Sequence, residues 1–304
     1  MLKSKNKYKT PTITREMNQH VELEMIVLKN HLYHLTIFIR KLPNAVQIIK
    51  KFSYQVGTEN QELLHDLFDE LYQKRLSNIN VKYFLDICAA PGVYSKYILD
   101  KYPDASGVGI SLDPKDGGHQ FKIIDDQDLY QDRYQGIYQD VYQIDTFSSK
   151  GVINTKYDLC MTSCIPYDTS AKTVNQHRII FKSLTVCLNS LKKNGTLIIN
   201  FSFKDMIFAI NFVYLISLLF KKIKLFKSTK LWILQRTFYV IGYDYQPNDK
   251  IINRINSYLE NFDQYYYQHR DKLLPEINKS TLYRLMRMFE SDVFMVQIQT
   301  YLLS

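Results

Sequence analysis

The sequence contains little glycine: 10 of its 304 residues, about half the fraction usual in proteins. Six of the ten lie close together, at Gly92, Gly107, Gly109, Gly117, Gly118 and Gly136. Glycine serves where the backbone turns sharply or approaches a ligand closely. This local concentration predicts a functional site within residues 86–145.

Cysteine is also scarce, with four residues at Cys88, Cys160, Cys164 and Cys187. All four lie in apolar segments, and none has the spacing of a CxxC motif or of a Cys/His zinc site. We therefore expect reduced, mostly buried thiols and no metal site. Unpaired cysteines are typical of a cytoplasmic protein. A viral or extranuclear-element gene is an open alternative for its origin.

Long apolar runs are missing as well. The one membrane-like run, residues 206–220, includes Asn211 and is shorter than the roughly 20 residues that a spanning helix needs. We expect a buried or interface helix here. The polar first residues do not resemble a secretory signal. With 46% hydrophobic residues the chain can still bury a large core, which excludes wholesale disorder.

Acidic residues are outnumbered, and the net charge of +9 is concentrated in two segments. Residues 1–15 contain lysines and an arginine but no acid. Residues 221–230 also lack an acid and contain Lys221, Lys222, Lys224, Lys227 and Lys230. Because cationic side chains that neutralise phosphates release counterions, both clusters predict a phosphate-rich partner. A solvated basic surface is the alternative.

Apolar periodicity divides the chain into three parts. Residues 1–79 and 246–304 repeat apolar positions every three or four residues, which predicts helical extensions. Between them, over residues 80–245, short apolar runs alternate with helices, which predicts a parallel, doubly wound α/β sheet. One of these helices is expected over 177–195, with Gly195 as its stop. The apolar runs lie at 81–88, 105–112, 136–145, 157–166, 196–203 and 234–245.

Tyrosine recurs every four residues, at Tyr130, Tyr134, Tyr138 and Tyr142. Tyrosines stacked at that spacing would form a platform for nucleic-acid bases. Because Gly136 interrupts the run, we favour a surface loop or a short helix.

The first apolar run ends in the turn Asp86-Ile-Cys-Ala-Ala-Pro-Gly92, which Ser95 and Lys96 follow. In a doubly wound sheet the ligand lies beyond the carboxyl ends of the strands, where the first turn leads into a helix. The small residues of this turn leave room for a cofactor. The turn matches neither GxxxxGK[ST] nor GxGxxG, which disfavours nucleotide phosphates and dinucleotides as ligands.

The segment LDICAAPGVYSKYIL, residues 85–99, resembles the first motif of the FtsJ-like (RrmJ-like) S-adenosylmethionine-dependent RNA ribose 2′-O-methyltransferases. The segment GVGISL, followed by a pair of glycines, resembles the continuation in the mRNA-cap members of that group. The resemblance covers roughly residues 80–243. It implies a Rossmann-like methyltransferase fold, S-adenosylmethionine as cofactor, and RNA, including capped mRNA, as substrate.

The resemblance also implies which residues hold the cofactor. Asp86 and the turn 88–92 match residues around its methionine and ribose, and Asp145 matches an acid that bonds the adenine amine. Ser111 stands where members often have an acid, with Asp113 as a substitute. The full predicted set is Asp86, Cys88, Ala89, Ala90, Pro91, Gly92, Ser111, Asp113, Asp145 and Ser163.

The catalytic residues of that family are not retained. Its Lys-Asp-Lys-Glu tetrad deprotonates the ribose 2′-hydroxyl through a lysine of lowered pKa. The aspartate falls on Ser163, the second lysine on Asn200 and the glutamate near Thr237, none of which is a base near neutral pH. The first lysine falls near His65 or Asp66. Candidate replacements are Lys74, Lys172 and Lys204.

Three functions stay open, and we favour the first, a divergent but active RNA methyltransferase whose acceptor enters beside Pro166 and Asn200. The second is a catalytically inactive, methyltransferase-like subunit that binds RNA or stimulates a larger capping or RNA-processing enzyme. Loss of the tetrad favours this alternative, and the layout is similar to that of the small stimulatory subunit of poxvirus capping enzymes. There the apolar helix 206–220 or the C-terminal helices would dock onto the partner.

The third function is RNA base methylation. Residues 164–170, CIPYDTS, are similar to the NLPYxIS loop of adenine dimethyltransferases. A ring nitrogen such as one of guanine is already nucleophilic and needs no general base. Loss of the tetrad therefore leaves methyl transfer to a base possible.

Overall fold

The structure, a computed structural model, describes residues 61–123, 130–144, 156–164, 173–202, 206–230, 237–262, 277, 279–294, 296 and 299. All of these residues belong to one compact unit, Lys51–Ser304. The predicted boundaries of the extensions, after residues 79 and 245, remain predictions.

Seven strands of the described residues form one sheet, in the spatial order β3-β2-β1-β4-β5-β7-β6. The strands are β1 (Tyr83–Ile87), β2 (Ser106–Ser111), β3 (Tyr134–Tyr138), β4 (Tyr157–Thr162), β5 (Leu191–Ser202), β6 (Phe220–Phe226) and β7 (Thr237–Tyr245). The first five are parallel, and β7 runs antiparallel to both β5 and β6. The predicted α/β Rossmann-like sheet is confirmed, but the prediction that it is wholly parallel is wrong at β7.

Six helices of eight or more residues accompany the sheet in the described part of the chain. They are α1 (Gln61–Leu71), α2 (Val93–Lys101), α3 (Thr173–Ser190), α4 (Met206–Ser217), α5 (Asp249–Glu260) and α6 (Lys279–Phe289). Single turns of π-helix, Tyr72–Leu76 and Glu290–Phe294, extend α1 and α6. Two 3₁₀ turns, Pro114–Asp116 and Val141–Gln143, follow β2 and β3.

Helix α1 packs on the sheet through one apolar stripe. Leu64, Leu67, Phe68 and Leu71 recur at the three- and four-residue spacing of one helix face, and all four are buried. The Phe68 ring stacks on Tyr94 of α2, with ring centroids 4.6 Å apart. The start of α1 is thereby held near the turn that precedes α2.

The apolar run that begins at residue 206 forms α4 and lies in the protein's own core. The Phe212 ring stacks on Phe201 of β5 at 4.4 Å and meets Phe181 of α3 edge-on at 5.6 Å. None of the described helices is long and apolar enough to cross a membrane. The expectation of a buried helix is confirmed. This burial leaves the apolar face of α4 unavailable for the partner docking considered above.

The helix expected over 177–195 ends earlier than its glycine. Helix α3 stops at Ser190, and β5 begins at Leu191. Gly195 therefore lies inside a strand, where a Cβ atom would meet the Leu191 side chain at 2.8 Å. Its role is close packing within β5, and the prediction that it terminates the helix is wrong.

Candidate functional site

The predicted turn, Cys88–Gly92, lies at the carboxyl end of β1 and leads directly into α2. The backbone N–H groups of Cys88 and Ala89 both donate to Ile110 O of β2, at 2.7 and 3.1 Å. The Gly92 N–H donates to Ala89 O at 2.7 Å and closes the turn. Gly92 has φ +104°, in the left-handed region that glycine adopts without strain.

Asp86 lies beneath this turn, in β1, with its side chain only 1% exposed. Ser95 Oγ of α2 donates to its Oδ2 at 2.8 Å, whereas Oδ1 has no partner among the described residues. Burial raises the pKa of Asp86 to about 7, against the lowering effect of the Ser95 hydrogen bond. Asp86 thus anchors the first turn of α2 from below.

A cavity of about 470 Å³ opens beside the turn, between the start of α1 and the start of α2. Acidic and basic side chains face each other across it, because α1 supplies the acids and the opposite wall supplies the lysines. Its lining residues are Gln61, Glu62, His65, Asp66, Pro91, Gly92, Val93, Lys96, Lys122 and Ile123. This mixture of charges suits a zwitterionic ligand such as an amino acid moiety.

The cavity satisfies the requirements of a cofactor that carries a methionine group. Its volume lies within the roughly 300–1,000 Å³ that small-molecule sites have. Helix α2 begins at the cavity, and no side chain of the described residues caps its N-terminus. Uncapped N–H groups at a helix N-terminus bind carboxylates. The residues present therefore fit the amino acid end of S-adenosylmethionine.

The second predicted part of the site lies after β2 and β3. Ser111 ends β2, and its carbonyl accepts a hydrogen bond from Gln139 N at 2.8 Å. Asp113 accepts from Lys115 N at 2.8 Å and caps the following 3₁₀ turn. Both residues lie at the same edge of the sheet as the turn after β1. Asp145 lies outside the described residues.

Sequence analysis missed Asp140 as a candidate binding residue. It follows the end of β3 by two residues and accepts a hydrogen bond from Tyr142 N at 3.0 Å. The predicted third strand ran on to residue 145, whereas β3 ends at Tyr138. The available signal was that Asp140 is the first acid after the run Tyr-Gln-Gly-Ile-Tyr of β3.

The prediction of a surface loop or a short helix is wrong for two of the four regularly spaced tyrosines, which lie in a strand, whereas Tyr142 lies in the 3₁₀ turn Val141–Gln143. Tyr134 and Tyr138 begin and end β3. Tyr130 is buried and donates to Asp100 Oδ1 at 2.5 Å. Tyr138 and Tyr142 are 40% and 42% exposed, so only this pair presents a large aromatic surface to solvent among the four.

The residues after β4 meet the turn after β1. Ser163 N donates to Ile87 O at 3.4 Å, and Cys164 forms a disulfide with Cys88. The prediction of reduced thiols is wrong for this pair, because adjacent parallel strands bring residues 76 positions apart to one place. Cys160 and Cys187 are free and buried, as expected. The predicted loop 165–170 lies outside the described residues.

Of the positions that match the family's catalytic residues, Asn200 lies in a closed, uncharged cluster. It is 2% exposed, and its Nδ2 donates to Tyr239 OH at 3.5 Å. Tyr239 OH lies 2.8 Å from Tyr94 OH, and burial raises the pKa of both tyrosines above its usual value. Ser163 and Thr237 are half-buried. That an acceptor enters beside Pro166 and Asn200 remains a prediction.

Of the candidate replacement lysines, the structure describes Lys74, which forms an ion pair with Glu70 at 2.7 Å on the α1 side of the fold. Lys172, Lys204 and Pro166 lie outside the described residues. The titratable side chains that line the cavity are Glu62, His65, Asp66, Lys96 and Lys122.

The lysines of residues 221–230 are not one surface cluster. Strand alternation places Lys222 and Lys224 on one face of the edge strand β6 and Lys221 on the other. Lys227 is 2% exposed and donates to Thr237 O at 2.7 Å, so it cannot reach a phosphate and its prediction as an RNA-binding residue is wrong. Lys230 is exposed. The basic N-terminal segment lies outside the described residues.

Comparison with known proteins gives a match to one protein family. A family model described as FtsJ-like methyltransferase matches residues 64–245, which is more than half of the chain. No curated protein sequence matches this chain.

Similar solved structures include a Plasmodium falciparum protein described as a ribosomal RNA methyltransferase, with 16% identity and a TM-score of 0.45 over 60% of this chain and 97% of that one. Another is human methyltransferase-like protein 13 in complex with SAH, with 14% identity and a TM-score of 0.42 over 66% and 87% of the two chains.

Proposed function

The chain belongs to the FtsJ-like methyltransferase family, and from this membership we propose that it transfers a methyl group from S-adenosylmethionine to RNA. S-adenosylmethionine is the cofactor of this family, and when bound it supplies a methyl group on a positively charged sulfur. The observation that carries the proposal is the cavity beside Pro91 and Gly92, at the turn that matches the family's first motif.

The side chains of the site divide the work of binding. Glu62 and Asp66 are placed to pair with the ammonium group of the methionine part, and the N-terminus of α2 with Lys96 to pair with its carboxylate. Asp113 and Asp140, which follow β2 and β3, would accept hydrogen bonds from the adenosine part. Asp86 acts through Ser95 and the turn above it.

A ribose 2′-hydroxyl acceptor must lose a proton during methyl transfer. Among the side chains that line the cavity, His65 carries an imidazole, the side chain that most often serves as a general base. We therefore place His65 as the general base for a ribose acceptor. A base-nitrogen acceptor would not require it, so the effect of removing His65 distinguishes the two chemistries.

RNA, including capped mRNA, is the proposed substrate because exposed cations lie on the described surface. On one face of β6 Lys222 is exposed and Lys224 is half-buried, and Lys221 is exposed on the other face. Such cations hold phosphates without reading sequence. They would orient RNA while the acceptor lies at the cavity.

The second candidate is a catalytically inactive subunit that binds RNA or stimulates a larger capping or RNA-processing enzyme. The uncharged cluster of Asn200, Tyr239 and Tyr94 favours it, because the residue at the family's second-lysine position, Asn200, is part of the core. Such a subunit would keep the fold and its basic surface and have no turnover of its own.

One set of measurements tests both candidates. Titration calorimetry with S-adenosylmethionine should show binding, and labelled methyl should transfer to capped or uncapped RNA. His65→Ala should abolish ribose methylation and retain cofactor binding. Binding without transfer to any RNA, together with co-purification of a larger capping subunit, would instead support the inactive subunit. Absence of cofactor binding at high micromolar concentration would refute the enzyme.

A further inference from the structure

We propose that Cys88 and Cys164 form a redox site, at which thiol–disulfide exchange with small thiols of the glutathione class changes the cofactor turn. The effect on cofactor binding rests on the proposed function, whereas the exchange itself does not.

The disulfide is placed where it can act on the turn. Cys88 follows β1 and is the first residue of the turn 88–92, and Cys164 is the second residue after β4. Their Cα atoms are 5.3 Å apart. The covalent bond therefore ties the cofactor turn to the neighbouring strand, at the edge of the sheet where the ligand is expected.

Cys88 also has a backbone conformation that needs support. Its φ is +62°, in the left-handed region that residues with a side chain seldom adopt. The hydrogen bonds of Cys88 N and Ala89 N to Ile110 O hold this conformation, and the disulfide fixes the side chain. Reduction removes the covalent restraint, so that only the two hydrogen bonds still hold this conformation.

The surroundings of the two sulfur atoms give the exchange a direction. Cys88 is half-buried, whereas Cys164 is 3% exposed, so an incoming thiolate reaches Cys88 Sγ. Thr162 Oγ1 donates to Cys164 Sγ at 3.3 Å, and Ser183 Oγ, which donates to Ile179 O at 2.7 Å, lies 3.0 Å from the same sulfur and can turn its proton to a thiolate there. Hydroxyl donors stabilise a thiolate and make Cys164 the better leaving group.

The exchange balances as two successive displacements. A glutathione thiolate forms a bond to Cys88 Sγ, the Cys88–Cys164 bond breaks, and the electron pair leaves on Cys164, which then takes a proton. A second glutathione thiolate attacks the glutathione sulfur of the mixed disulfide and releases Cys88 as a thiolate, which is also protonated. The products are two protein thiols and one oxidised glutathione, and oxidation is the reverse.

Counting thiols in the full-length protein tests the site without any cofactor. After equilibration in glutathione buffers of defined ratio, acid quenching, denaturation and alkylation, mass spectrometry should show two labelled cysteines in oxidising buffer and four in reducing buffer. Peptide mapping should assign the change to Cys88 and Cys164. Four labelled cysteines at every ratio, or a change at Cys160 and Cys187 instead, would overturn the proposal.

The leaving-group role of Cys164 is tested by rate. Ser183→Ala should slow reduction by glutathione severalfold, because the thiolate loses a donor. Thr185→Ala is a matched control, since Thr185 donates to Phe181 O in the same helix at 3.0 Å and bonds to no sulfur atom of the described residues. Equal rates for the two variants would contradict the assigned direction of exchange.

The coupling to the turn is tested by calorimetry with S-adenosylmethionine in each redox state. A restrained turn is preorganised, so the oxidised protein should bind roughly tenfold more tightly than the reduced protein. Cys164→Ser should bind S-adenosylmethionine with the affinity of the reduced protein, and that affinity should be the same in oxidising and in reducing buffer. Equal affinities in both states would refute the coupling. No binding in either state would refute the proposed function, while the thiol count would still decide the redox site.

Discussion

The hydroxyl oxygens of Tyr94 and Tyr239 lie 2.8 Å apart, and they join the first turn of α2 to β7 beside Asn200. Tyr239 also accepts the Asn200 side-chain amide at 3.5 Å. A lysine at position 200 would place a charge in this buried cluster, where charging is costly. The cluster therefore stabilises the sheet at a place where the family keeps a proton acceptor, and any catalysis must use other side chains.

Tyr239→Phe should lower the free energy of unfolding by about 1–3 kcal/mol, because it leaves Tyr94 OH and the Asn200 amide without their partner in a buried place. Urea unfolding measures the change. Tyr243→Phe is the matched control on the same strand. Its lost hydrogen bond to Arg75 O is half-buried and open to water, so the free energy of unfolding should fall less. A Tyr239→Phe protein as stable as wild type would show that the bond contributes nothing.

The cofactor turn was predictable because its information is local. A buried run that ends in Ala-Ala-Pro-Gly fixes a strand, a tight turn and a helix start within residues 83–101, and the structure has all three. The apolar stripe of α1 was readable for the same reason. Element type follows from neighbours in sequence when the periodicity is strong.

Features that depend on distant strands were not predictable. The Cys88–Cys164 bond requires β1 and β4 to be neighbours, and the burial of Lys227 requires the β6–β7 hairpin to fold over it. The end of β3 was predicted too late because the Tyr-Gln pairs continue past Tyr138 with no glycine or proline to end the strand. Strand pairing, and not local pattern, decides these positions.

Asp86 should make stability depend on pH. Burial raises its pKa from 3.8 to about 7, so between these values the native state holds more protons than the unfolded state. Stability should therefore fall as pH rises through this window, by at most about 4 kcal/mol from this group. Asp86→Asn cannot ionise and should remove the contribution. Unfolding free energies of both proteins from pH 4.5 to 8 should diverge as pH rises, and parallel curves would contradict the assignment.

RNA binding should depend on the exposed lysines and not on the buried one. Lys222→Gln with Lys224→Gln, which removes one exposed and one half-buried cation, should lower the dependence of log affinity on log salt by about 1.4, as expected for two lost contacts to single-stranded phosphates. Lys221→Gln reports the opposite face of β6. Lys227→Met should leave the slope unchanged, since the Lys227 ammonium is buried and its pKa is lowered to about 7. Fluorescence anisotropy with a labelled RNA measures the slopes, and a loss in Lys227→Met alone would reverse the assignment.

Gly92→Ala should damage the cofactor site more than the same change elsewhere. Gly92 has φ +104°, and a Cβ atom there would meet Ile123 Cγ2 at 2.6 Å, beside the cavity that both residues line. Gly117→Ala is the matched control: its φ is +92°, but its Cβ would meet nothing within 4 Å, so only the backbone cost of about 1 kcal/mol applies. Thermal unfolding should show a larger loss of stability for Gly92→Ala, because Ile123 or the turn must move.

Calorimetry with S-adenosylmethionine should show weakened binding for Gly92→Ala and wild-type binding for Gly117→Ala, measured where both proteins are folded. Equal affinities in the two variants would mean that the cofactor does not use this turn.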